Sequence, residues 1–339
     1  MHTFPALRLG NIDIRVPVIQ AALAGYSDAP MRKIARKFGC GFVLCEVMLD
    51  QFVVAVSKRK SRFYFAESDE HPIGAQLMGS EPEQFVKAAR RLAQEGFDLL
   101  DLNFACPVKK VLGRKRGGYL MSAPGTALDI VSAVRQNIPD SMPLTLKLRK
   151  GFDDSQESRT HFFELLDGAV ERGICGVTVH GRTVKQRYEG KSDWDFIWSV
   201  KQHLLAQGRP DIAVIGSGDL FTADDCLRRF NIGDIKVDAV ALARGVIGNP
   251  WLFRDVIAVL QGELLPKPPS LTEQYEILAE HFRLSSVLYG ERRAATTMRA
   301  FGAKYSLLHP CYEQVRQDFV QVKTADDWYS VLERWYVEC

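Results

Sequence analysis

The chain has 339 residues, 46% of them apolar and 25% charged, with a formal net charge of +3. That balance excludes a disordered chain, leaves room for one large core plus a small appendage, and is too weakly basic to establish a nucleic-acid partner except through local clustering. No apolar run is long enough to span a bilayer, no secretory leader is evident, and seven scattered cysteines (40, 45, 106, 175, 226, 311, 339) form no C-x-x-C pair, so no membrane, no disulfide framework, no metal and a cytoplasmic location are expected.

Eight short apolar runs recur in chain order at 16–22, 41–47, 73–77, 99–102, 144–148, 176–179, 212–215 and 239–243. They are rich in Val, Ile and Leu without strict alternation, as parallel strands covered on both faces should be. Amphipathic helical segments separate most of them. The segment 85–94 carries a stripe of Phe85, Val86, Ala89, Leu92 and Ala93, and 124–136 opens on a proline suited to a first turn. Strand–helix alternation repeated eight times predicts an α/β (β/α)8 TIM barrel, with a doubly wound sheet as competitor. Pro266-Lys-Pro-Pro269 ends the pattern. Helices are predicted after it at 271–288, 292–308, 312–322 and 325–336. The expected organisation is a barrel domain over 1–262 and a small helical bundle over 270–339, in a monomer.

Active sites of such barrels lie at the C-terminal ends of the strands. The predicted ends carry, in order, Ala22-Leu23-Ala24, Glu46, Gln76, Asn103 with Cys106, Lys147 with Arg149, His180 with Arg182, Ser217-Gly218-Asp219, and Ala243-Arg244-Gly245. Ser217-Gly218 leaves backbone N–H groups open to an anion, and Arg244 adds a forked cation. These are expected to form a phosphate site after the last two strands. Lys147 and His180 can donate to an electron-rich ring, and Gln76 can meet an imide edge. No G-x-G-x-x-G follows the first strand, so a Rossmann nicotinamide site is not indicated. FMN fits this donor set best.

The most informative stretch runs from Asp101 to Gly118. It sets an Asn, a Cys and a Pro on the turn after the fourth strand. Five cations follow without a carboxylate: Lys109, Lys110, Arg114, Lys115 and Arg116. Gly113, Gly117 and Gly118 suggest a mobile loop, Cys106 suggests chemistry, and the cations suggest a polyanionic substrate.

These residues resemble a known family, the tRNA-dihydrouridine synthases. The resemblance rests on Ala24-Gly-Tyr-Ser-Asp28, Ala75-Gln-Leu-Met-Gly79, Asp101-Leu-Asn-Phe-Ala-Cys-Pro107, Lys147-Leu-Arg-Lys-Gly151, Thr178-Val-His-Gly-Arg-Thr183 with Tyr188-Glu-Gly190, Ile215-Gly-Ser-Gly-Asp219 and Ala243-Arg-Gly-Val-Ile-Gly-Asn-Pro-Trp251. The chain departs in having Ala22-Leu23-Ala24 for the family's Pro-Met-Ala, and the bulkier Phe104-Ala105 before Cys106. The resemblance implies reduction of the C5–C6 double bond of a tRNA uridine, with hydride from reduced FMN, NADPH as reductant and Cys106 as the acid. It implies that Asn103 binds the uracil edge. It implies further that Arg182, the 109–116 cations and a basic tail helix with Arg292, Arg293 and Arg299 meet tRNA. A barrel dehydrogenase of free pyrimidines and a non-catalytic tRNA-binding protein are the alternatives.

Overall fold

The computed structural model describes residues 7–61, 64, 66–230 and 237–337. Eight parallel strands close into a barrel: β1 (Val18–Gln20), β2 (Phe42–Leu49), β3 (Ile73–Met78), β4 (Leu99–Asn103), β5 (Leu144–Arg149), β6 (Gly176–His180), β7 (Ala213–Ser217) and β8 (Ala239–Leu242). β8 pairs with β1 through Val240 opposite Val18, and this pairing excludes the doubly wound alternative. A helix follows every strand, the last being Trp251–Leu260.

The strands sort their side chains by parity, as a period of two requires. Leu146 and Leu148 of β5 face the helices and join the large outer core, while Thr145, Lys147 and Arg149 face inward. β2 is longer than expected because a register shift between Leu44 and Val47 carries the strand past Glu46 to Leu49.

An element the sequence reading missed lies at the N-terminus. Leu7–Leu9 and Ile12–Ile14 form a two-stranded antiparallel ribbon. Leu7, Leu9 and Ile14 pack with Ile19, Phe42, Leu44, Leu99, Ala213 and Ala239, and so stop the N-terminal end of the barrel with apolar side chains.

The C-terminal helices run Leu271–Tyr289, Glu291–Tyr305, Tyr312–Gln321 and Ala325–Leu332. Ser270 starts the first through a reciprocal cap with Glu273, and Thr324 starts the last in the same way with Asp327. The bundle leans on the barrel. Phe301 meets Tyr26 edge-on at 5.3 Å, and the Tyr289 hydroxyl donates to Asp28 at 2.9 Å. Gly248, at φ +73°, lets the barrel approach the backbone of Lys304, where a Cβ would come within 2.4 Å. Among the described residues no helix is long and apolar enough to cross a membrane.

Candidate active site

All eight strand ends converge on one cavity of about 350 Å³ at the C-terminal mouth. Ala21, Ala22, Ala24, Ala105, Ala241 and Ala243 give it small apolar walls. The polar groups come from Gln76, Asn103, Cys106, Lys147, Arg149, His180, the Ser217–Asp219 turn and Arg244. Every cofactor residue expected from the sequence, Leu23 and Gly218 included, lines this one space.

Cys106 sits on a turn that is bonded from several sides. The Asn103 side-chain oxygen accepts from the backbone N–H of Ala105 at 3.0 Å and of Cys106 at 3.1 Å. Arg149 Nε donates to the Ala105 carbonyl at 2.9 Å. Gly118 N–H donates to the Cys106 carbonyl at 3.0 Å. Phe104, whose bulk is unusual for the motif, turns outward into the core against Phe85, so only Ala105 reaches the cavity.

The loop after the turn differs from expectation in two ways. Gly117 and Gly118 are buried, and a Cβ on either would strike Cys106 or its carbonyl at 2.8–2.9 Å. They serve close approach rather than mobility. Four of the five cations, Lys109, Lys110, Arg114 and Lys115, are exposed, but Arg116 is buried beside Asp50, so it is withdrawn from the surface expected to meet a substrate.

Burial sets the protonation of the site. It pushes the Cys106 thiol upward, against the pull of the Val108 backbone bond and the Arg149 charge, so the sulfur is a thiol at neutral pH. Lys147 falls to about 8 chiefly through burial, with the Asp101 carboxylate resisting the fall. His180 is held down to about 2 by burial and by the surrounding cations Arg149, Lys147, Arg182 and Arg244, which makes it a neutral imidazole. The remaining described thiols sit elsewhere. Cys40 and Cys226 are pushed to about 12, and Cys45 and Cys175 to about 11, in each case chiefly by burial.

At the opposite rim Gly218 has φ +116° and Asp219 φ +53°, a turn that a side-chain-bearing residue rarely adopts. Arg182 explains why Asp219 stays there. Its Nη2 reaches both carboxylate oxygens at 2.8 Å, and the Ser192 N–H adds a bond of 2.7 Å. Arg182 is buried and also donates to the Glu189 and Gly190 carbonyls. It is therefore spent inside the protein, contrary to the expectation that it meets a substrate. Arg244 shares Asp219 at 3.6 Å but stays partly exposed, with its guanidinium 5.4 Å from the centroids of both the Tyr188 and Phe221 rings.

In the bundle, Arg292 and Arg293 are exposed, and the Arg293 guanidinium lies 4.8 Å over the Tyr289 ring. Arg299 is half-buried and donates to the Val322 carbonyl, so it braces the bundle instead of joining the exposed pair. Among the lining residues to which the sequence reading gave no role are Arg149, Tyr188 and Phe221. Arg149 and Tyr188 fall within quoted motifs, but Phe221 carries no signal apart from its closeness to Asp219.

A closed (β/α)8 barrel whose mouth joins a buried lysine, a neutral histidine, a protonated thiol and an arginine beside a tight glycine turn defines a cofactor-using enzyme of the barrel class. Solved structures with this fold include histamine dehydrogenase from Rhizobium sp. 4-9 (TM-score 0.57, 15% identity, 83% of this chain and 51% of that one) and morphinone reductase (0.53, 16%, 79% and 92%). At these identities the likeness concerns the fold alone.

The dihydrouridine synthase family model matches residues 19–336, and the chain belongs to that family. It is 32% identical over 339 residues to the probable tRNA-dihydrouridine synthase of Mycobacterium tuberculosis (strain ATCC 25618 / H37Rv), covering 97% of this chain and 85% of the relative. It is 30% identical to tRNA-dihydrouridine synthase B of Shewanella oneidensis, covering 98% and 99%.

Proposed function

We propose that this protein reduces the C5–C6 double bond of a uridine in tRNA to dihydrouridine, with FMN as bound cofactor and NADPH as electron source. The observation that carries the reading is a thiol kept protonated by burial, on the wall of a cavity shared with Lys147. The residues present fit a flavin nucleotide. The alanine walls suit a flat ring, the N–H groups of Gln76 and Lys147 suit its oxygen- and nitrogen-rich edge, and Arg244 with the 217–219 turn suits its phosphate. When bound, the flavin would supply hydride to C6.

The chain's own residues do the rest. Lys147 offers a positive charge to the electron-rich edge of the ring. His180, neutral, offers a hydrogen bond without adding charge. Cys106 gives its proton to C5 and regains one from water. The uridine must leave its stack to enter the mouth, and Tyr188, largely exposed at the rim, offers an aromatic face to it. Lys109, Lys110, Arg114, Lys115, Arg292 and Arg293 supply phosphate contacts. The functional division follows: a catalytic barrel over 1–262 and a helical tRNA-binding region over 270–339.

The purified protein should be yellow and release FMN on denaturation. Dihydrouridine mapped in tRNA from cells with and without the gene should differ at defined positions. A colourless protein that cannot be reconstituted with FMN, or unchanged tRNA, would overturn the reading.

A further inference from the structure

One buried carboxylate has no place in the reaction as proposed. Asp101, on β4, lies inside the barrel beneath the cavity and is 1% exposed. Its two oxygens have separate partners. Thr145 Oγ1 donates to Oδ1 at 2.7 Å, and Gln76 Nε2 donates to Oδ2 at 2.7 Å. From Gln76 the bonding continues upward. Asn103 Nδ2 donates to Gln76 Oε1 at 2.7 Å, and Asn103 Oδ1 accepts from the backbone N–H of Ala105 and of Cys106.

Both ends of this chain force its direction. At the top, two backbone N–H groups can only donate, so Asn103 must present its oxygen to them. Its nitrogen then faces Gln76, which must answer with oxygen. The Gln76 nitrogen is left facing downward and requires an acceptor. Asp101 is that acceptor: burial pushes its carboxyl upward, and the two donated bonds and the Lys147 charge oppose that rise. An amide rotated by half a turn at either middle position would set donor against donor in a dry interior, where an unmet polar group is expensive.

We infer that Asp101 is a positioning residue, which fixes the Cys106 turn through the oriented amides of Gln76 and Asn103. The inference rests on Cys106 being the acid of the proposed reaction. It also alters what the cavity offers its occupants. Asn103 Oδ1 is saturated by two N–H groups, and Gln76 Oε1 already accepts one bond. The capacity left to both side chains is chiefly N–H donation. Asn103 therefore meets an acceptor on its ligand, such as a ring carbonyl, and does not pair with an imide N–H.

The test compares full-length variants in the presence of saturating FMN, so that cofactor occupancy is equal. Asp101→Leu removes the acceptor. Asp101→Asn keeps an oxygen for Gln76 and is the conservative rescue. Thr145→Val removes only the bond at the other oxygen and is the stability control. Gln76→Met breaks the middle link and serves if Asp101→Leu does not fold. Three rates are read: alkylation of Cys106 by iodoacetamide, resolved by peptide mass spectrometry, dihydrouridine formation, and flavin reduction by NADPH.

Asp101→Leu and Gln76→Met should alkylate at Cys106 about tenfold faster, and Asp101→Leu should form dihydrouridine about a hundredfold more slowly, because a misplaced acid costs rate at that step, while its flavin reduction falls less, by what Lys147 loses without the carboxylate. Thr145→Val should stay within about twofold of the parent in every reading, and Asp101→Asn, which keeps the acceptor but not the charge beside Lys147, should stay within about twofold in the alkylation rate. Alkylation by Asp101→Leu or Gln76→Met that matches Thr145→Val would overturn the inference. So would equal loss of both half-reactions in Asp101→Leu. If the parent protein forms no dihydrouridine the proposed function fails, and the alkylation rates still decide whether the relay holds the turn.

Discussion

The barrel mouth and the C-terminal bundle both carry arginine and lysine, but they use them in opposite ways. At the mouth Lys147, Arg149 and Arg182 are largely or fully buried, and the two arginines are tied to named acceptors. In the bundle Arg292, Arg293 and Lys304 lie exposed on one helix. A buried cation acts at one place and its protonation depends on its surroundings. An exposed cation acts through a field that salt screens, and its neighbours can share its task. Changes at the mouth should therefore abolish single steps, and changes in the bundle should weaken binding by increments.

The largest effect is expected at the thiol. Cys106→Ala should lower dihydrouridine formation by about 100-fold or more, since a positioned acid contributes that much, while flavin reduction by NADPH continues. Both half-reactions can be followed in one stopped-flow and tRNA-digest experiment. Alanine at Cys40, Cys45 or Cys226, which are buried away from the cavity, should change melting temperature instead of turnover. Loss of both half-reactions in Cys106→Ala would collapse the distinction between acid and scaffold.

Lys147→Met should produce two effects of opposite sign. The flavin spectrum should weaken as the cation is lost. The flavin-free protein should become more stable at neutral pH. Lys147 titrates at about 8 in the fold against a usual 10.5, so between these values the unfolded chain holds the extra proton and stability rises with pH. Below pH 8 the cost of the buried ammonium is fully present, about 3 kcal/mol for a shift of this size. Denaturant melts at pH 7 and pH 10 should diverge for the parent and converge for the variant.

The bundle calls for a graded test. Neutralising Arg292, Arg293 and Lys304 together should reduce the salt slope of log K for tRNA by about 2 to 3, at about 0.7 to 0.9 per phosphate contact. Arg299→Ala should do something different. It removes the bond to the Val322 carbonyl, so it should lower stability and leave the slope unchanged. A flat response of the triple variant would make the bundle a brace throughout.

The smallest effect is expected at the seam. Tyr289→Phe removes one hydrogen bond to Asp28, worth about 1 kcal/mol. Asp28 stands at about 6, raised mainly by burial and held back in part by this tyrosine, so its carboxyl should titrate still higher in the variant. Its folded value lies above the unfolded one, so this group's contribution to stability declines as pH rises from about 4 through 6. Without the tyrosine the decline should extend to higher pH and be larger in total.

The barrel was legible because parallel strands are written as apolar runs, and each ends where a polar residue must face the mouth. Gln76, Lys147, His180 and Arg244 could be read from that rule alone. The ribbon at 7–14 could not, because three-residue strands carry no periodicity to detect. Arg114 and Arg116 look alike as neighbouring cations, and only burial, within range of the Asp50 charge, separates the second. Arg182 misled for a related reason. Its partner Asp219 lies 37 positions away, and nothing local announces that the charge is already matched. Phe104 stands out in the sequence as a bulky departure beside Cys106, but the strand's parity sends it to the opposite face.

The apolar ribbon that stops the N-terminal end of the barrel governs the order of events. A vessel sealed below has its traffic above, so under the proposed function the electron donor and the tRNA would arrive by the same rim. The nicotinamide and the flipped base would then compete for one mouth. Turnover on such a plan is a sequence of visits, with the donor leaving before the base enters. Initial-rate plots against the two substrates should then give parallel lines, and an excess of either should inhibit use of the other.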